Sequence, residues 1–119
     1  MSVNTVIDIL KQNQSKGLPL RMSSIYWCIG GQCEIYLINR NLSSQKMIGV
    51  KEAFRMVSEI EDVHIAYQVC FTCMEATYEE AIRMLEILRD EGVVNWNRAK
   101  FRLHPMNILR KIQSFLKAK

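Results

Sequence analysis

Proline and glycine are scarce in this chain, with 2 and 5 residues among 119, and aromatic residues make up only 8%. Collagen-like and low-complexity readings fall away with that shortage. No apolar run approaches the roughly 18 residues that a spanning helix needs, so no membrane partner is expected. The opening residues, MSVNTVIDILKQNQSKG, lack the basic head and long apolar stretch of a secretory signal, and a cytoplasmic chain is the expectation. There is no Gly-rich phosphate loop, no pair of catalytic carboxylates at a recognisable spacing and no Ser/His/Asp set. The only histidines are His64 and His104. An enzyme is therefore not expected, and neither is a cofactor or a small-molecule substrate.

What is present fits one folded domain over residues 1–119, with 49% apolar and 24% charged residues. The net charge of +4 is unevenly spread. Residues 75–92 hold six acids, Glu75, Glu79, Glu80, Glu86, Asp90 and Glu91, against Arg83 and Arg89. Residues 93–119 hold Arg98, Lys100, Arg102, Arg110, Lys111, Lys117 and Lys119, with no acid at all. Such a stretch is an electrostatic footprint that phosphate backbones attract. A solvated basic tail would look the same.

Hydrophobic spacing sets out the elements. Val3, Val6, Ile7 and Leu10 make residues 3–12 a short amphipathic helix. Gly17 and Pro19 mark a loop over 13–20. Residues 23–39 flank Gly30-Gly31 with Ile, Tyr and Trp, which reads as a β-hairpin with a two-residue turn. Residues 40–48 read as a polar loop. Val50, Ala53, Phe54, Val57 and Ile60 predict a helix over 49–61.

Residues 62–76 are compatible with two periods. At period two, Val63, Ile65, Tyr67, Val69, Phe71 and Cys73 share a face. At period 3.6, His64, Gln68, Thr72 and Glu75 cluster instead, and the length favours a largely buried helix. Thr77-x-x-Glu80 is a capping box opening a helix that Gly92 closes. Residues 93–103 read as a second, basic hairpin. His104-Pro105 starts a last helix, striped by Ile108, Leu109, Ile112, Phe115 and Leu116. The fold class expected is thus α+β: an N-terminal helix and a β-hairpin, then a helical unit, a basic hairpin and a C-terminal helix.

Residues 62–104 resemble a winged helix-turn-helix domain. The shared features are Ala81, Leu85 and Leu88 on helix 77–91, the closing Glu91-Gly92-Val93-Val94, and a following wing with alternating cations. The resemblance implies a DNA-binding transcriptional regulator or nucleoid-type protein, and a homodimer. The outer face of helix 77–91 is acidic, which disfavours entry into a major groove. Contacts would then come from the wing and the last helix, through Arg98, Lys100, Arg102, Arg110, Lys111 and Lys117, and would fall mostly on phosphates. The alternative is a protein-protein interaction module of winged-helix-like or mixed α/β fold, using the acidic helix or the exposed hairpin, without nucleic-acid binding.

The cysteines form two pairs, Cys28-x4-Cys33 and Cys70-x2-Cys73. Four converging thiolates could hold zinc, though the Gly and Pro usual beside such pairs are missing. Cys28 and Cys33 would face each other across the expected hairpin, at a spacing a disulfide could bridge. Cys70 and Cys73 could form a redox pair, but reactive pairs sit at a helix N-terminus and these do not. The remaining reading, and the one adopted, is four packed thiols and no metal.

Overall fold

The computed structural model describes residues 1–42 and 48–102. They form six helices around one core: α1 (Val3–Ser15), α2 (Ile29–Asn39), α3 (Val50–Ser58), α4 (Val63–Phe71), α5 (Tyr78–Glu91) and α6 (Trp96–Arg102). There is no strand among the described residues. The α+β expectation is overturned at both hairpins.

The first hairpin fails because its two glycines serve a different purpose. Neither Gly30 nor Gly31 has a positive φ. Instead they open α2, where a Cβ on Gly30 would run into the backbone of Val50 and one on Gly31 into the backbone of Ile25 and Tyr26. The missing side chains let α2 lie directly against the start of α3 and the preceding turn. Cys28 is the N-cap, its Sγ accepting from the Gly31 N–H at 3.2 Å. Two glycines in a first turn cost about 1 kcal/mol each against alanine. Close backbone approach offsets that cost here.

The basic wing is likewise a helix. Asn95 caps α6, its Oδ1 accepting from the Arg98 N–H at 2.9 Å. Ala99 is buried on the inner side. Trp96 donates its indole N–H to the Gln68 carbonyl at 3.1 Å, which ties α6 to α4. Alternation of cations over 98–102 suited a strand, but the capping asparagine and a buried Trp96–Ala99 pair at i, i+3 fit one helical face.

Residues 62–76 resolve to a helix followed by an irregular turn. Asp62 caps α4 by accepting from His64 and Ile65 at 2.8 and 3.3 Å. The helices expected at the N-terminus, at 49–61 and at 77–91 are present, with α1 running on to Ser15. A Schellman-type stop at Gly17, φ +77°, ends it, with Leu18 N–H bonded to the Asn13 carbonyl. In α5 the capping box is made as expected: Thr77 N–H donates to Glu80 Oε1 at 2.9 Å, and Glu80 N–H to Thr77 Oγ1 at 3.1 Å.

The core gathers Val6 and Leu10 of α1, Ile29, Cys33 and Leu37 of α2, Phe54 and Val57 of α3, Val69 of α4, and Met84, Leu85 and Leu88 of α5. A polar seam crosses it. Gln32 accepts from Asn13 at 2.8 Å and donates to the Tyr78 hydroxyl at 3.2 Å. That hydroxyl in turn donates to the Leu18 carbonyl at 2.8 Å. The expected last helix, with its stripe from Ile108 to Leu116, lies outside the described residues. So does residue stretch 43–47 of the expected polar loop.

Candidate interaction surface

The cations expected to meet nucleic acid are partly engaged at home. Arg98 Nη1 sits 2.6 Å from Glu91 Oε1, which raises the arginine and holds the Glu91 carboxyl below its usual range. Lys100 Nζ donates to the Glu75 carbonyl at 2.6 Å. Arg102 ends α6. Arg110, Lys111 and Lys117 lie outside the described residues. Every acid of the chain falls within the described residues, and their twelve carboxylates outnumber eleven Lys and Arg. The described helices therefore carry a slight negative balance, which is no attraction for phosphate.

The acids of α5 also have local roles. Glu80 belongs to the capping box, Glu79 accepts from Gln14 at 2.7 Å, and Asp90 pairs with Arg89 at 2.8 Å. The Asp90 carboxyl is held low by that arginine.

A different surface has no such partners. The turn over Met22–Cys28 runs beside the end of α4 and leaves a groove of about 210 Å³. Sulfur lines much of it: Met22, Cys28, Cys70, Cys73 and Met74, joined by Ile25 and Phe71. Ile25, Phe71 and Met74 are largely exposed at its mouth. From Phe71 the apolar surface continues along α4 through Tyr67 to Val63, both exposed. The Tyr67 and Phe71 rings touch, with centroids 5.5 Å apart. Val63, Tyr67 and Phe71 stand at i, i+4 and i+8, one row on the outer face of the helix. The inner face, Ala66, Val69 and Cys70, is buried in the core. His64, Gln68 and Thr72 are exposed beside this row, so the outer side of α4 is part apolar and part polar.

The thiols take part in this surface as packing groups. All four cysteines are free and buried. Burial pushes Cys70 up to about 12, and Cys28 and Cys33 also above the ordinary thiol value. For Cys28, desolvation outweighs the N–H bonds at the start of α2 that favour its thiolate. Protonated thiols are poor nucleophiles, so the burial of Cys70 disfavours its use in a redox pair. The facing geometry imagined for Cys28 and Cys33 is absent, since both belong to the first two turns of one helix. Among the described residues no group of three His, Cys, Asp or Glu could hold a metal ion. No helix among them is long and apolar enough to cross a membrane.

One signal in the sequence could have found this surface. The two longest stretches without Asp, Glu, Lys or Arg are residues 22–33 and 63–74. Apart from Val50, these two stretches supply the whole lining of the groove. No protein-family model, curated protein or solved structure matches the chain.

Proposed function

We propose that this chain is a helical protein-interaction module whose contact face is the sulfur-lined groove together with the outer row of α4. The observation that carries the reading is the continuity of exposed apolar side chains from Ile25 and Met74 through Phe71 and Tyr67 to Val63. Contiguous apolar surface of this kind marks sites of association, whereas single exposed hydrophobes are ordinary. Methionine and cysteine supply a polarisable lining that adapts to a partner's side chains. Aromatic side chains at the rim bring large contact area for few lost rotamers.

The test places a photoreactive side chain at position 67 of the full chain, with position 11 on exposed α1 as control. Protein adducts at 67, absent at 11 and lost with Phe71→Glu, are the expected result. Equal labelling at both positions, or none at 67, overturns the reading.

A second reading, DNA binding, keeps one observation in its favour: seven cations and no acid over residues 93–119. It predicts salt-dependent retardation of arbitrary duplex DNA that weakens when Arg110, Lys111 and Lys117 are neutralised. The proposed contacts would be to phosphates, made by residues beyond α6 more than by Arg98 and Lys100.

A further inference from the structure

We infer that the occupant of the outer face of α4 is a second copy of this chain, packed about a two-fold axis at Tyr67. The inference rests on the interaction reading above and deepens it by naming the partner.

Three features of the face suit a twin. The first is symmetry. Val63, Tyr67 and Phe71 are evenly spaced about Tyr67, so a two-fold axis there sets Tyr67 beside its own copy and Val63 opposite Phe71. Small meets large at both ends of the row, which is the condition for two identical surfaces to interdigitate. Rows at i±4 on both helices pack at a crossing angle near −50° in the commonest mode of helix pairing.

The second is area. Val63 is 44% exposed, Tyr67 54%, Phe71 51%, Met74 79% and Ile25 56%. Covering these five removes roughly 600 Å² from each copy and about 1,200 Å² from both, before any rim residue is counted. That reaches the lower bound of a stable interface. α4 itself is short, with only about 12 Å between Val63 and Phe71, so Met74 and Ile25 are needed to complete the contact.

The third is charge. Each copy carries +4, and two copies repel wherever their cations face each other. The stretches 22–33 and 63–74 hold no charge to repel. A charged chain meets its twin most cheaply across a surface that carries no charge. The Tyr67 and Phe71 rings already touch within one copy, so they present a joined surface to a partner.

Sedimentation of the full chain over the micromolar range tests this. The wild type should run at twice 13.9 kDa, and Tyr67→Glu with Phe71→Glu should run as a folded monomer, its association weakened at least a hundredfold. Both side chains are more than half exposed, and circular dichroism checks that the helices persist. Tyr67→Cys, oxidised mildly with copper phenanthroline, should yield a covalent dimer, and Lys11→Cys should not. A wild type that stays monomeric at high micromolar concentration overturns the inference. A dimer that the double variant leaves intact overturns it as well. Photoadducts at position 67 separate this failure from that of the interaction reading. Adducts with other proteins from a monomeric chain remove only the twin, and no adduct of any kind removes both.

Discussion

On the α5 side of the molecule Arg98, Arg89 and Glu79 are matched to neighbours, whereas the outer row of α4 carries no charge to match. Arg98 meets Glu91, Arg89 meets Asp90, and Gln14 meets Glu79. Across the core, Val63, Tyr67 and Phe71 are each about half exposed to solvent. Exposed ion pairs add little to stability, but they leave a surface complete in itself. Exposed aromatic rows keep an unfavourable hydration that a second surface would relieve. The richest display of charge in the sequence thus belongs to the side with least to gain from a partner, and the quietest stretches belong to the side with most.

Helix α2 lies between these sides and repeats the contrast inside the core. Gln32 has partners on α1, α5 and the loop at Pro19. Glu34, two residues on and across the helix, is 1% exposed, and neither carboxylate oxygen has a hydrogen-bond partner.

The contrast can be broken at several points. The largest effect is expected at Gly30. Gly30→Ala drives a methyl into the Val50 backbone and should cost about 3 kcal/mol in denaturant unfolding, despite alanine's better helix propensity. Equal or higher stability would show that α2 and α3 can separate freely. Next, Gln32→Leu strips the buried partners of Asn13 and Tyr78 and should destabilise by about 2 kcal/mol. Glu34→Gln should move the other way, raising stability by about 1–2 kcal/mol, because it replaces a buried carboxyl group that has no hydrogen-bond partner with a neutral amide. If Glu34→Gln destabilises as Gln32→Leu does, the two sides of α2 are alike after all.

The thiols give a pH test. Cys70 is raised in the folded state, so unfolded chains lose the proton first. Stability is then unaffected below the ordinary value of 9.0 and falls as pH rises from there toward about 12. Cys33 and Cys28 act in the same direction. Cys70→Ala should flatten the alkaline limb by as much as about 1.4 kcal/mol per pH unit, and an unchanged limb would refute the assignment. The smallest effect is expected for Tyr67→Ser at protein concentrations too low for association. It should shift stability by less than about 0.5 kcal/mol, since the ring supports the surface and not the core.

Four helices were legible in the sequence: 62–76 because its length favoured a helix over a strand, the other three because local chemistry and hydrophobic spacing agreed. Thr77 and Glu80 cap what Ala81, Met84, Leu85 and Leu88 bury, and Gly92 stops it with a φ of +76°. Gly30-Gly31 misled because the same two residues serve a tight turn or a close packing of helices, and only the neighbour, Val50, decides which. It lies twenty positions away, beyond any local pattern. Residues 98–102 misled because charge alternation was read without Asn95 as a cap. The candidate surface went unread for a plainer reason. Attention to charge located Arg98 and Lys100, and the informative property of 22–33 and 63–74 is that they have none.

The seam through Tyr78 has a consequence for the order of events during synthesis. Its hydroxyl holds the carbonyl of Leu18, and α1 finds its main packing partner in α5. During synthesis α1 therefore waits for α5. Until Glu91 has emerged, α1 lacks its main packing partner, while α2, α3 and α4 can already pack on one another. Contacts that close loops of this length form late. The core side of α1 is then open to premature association, and docking of α5 covers it.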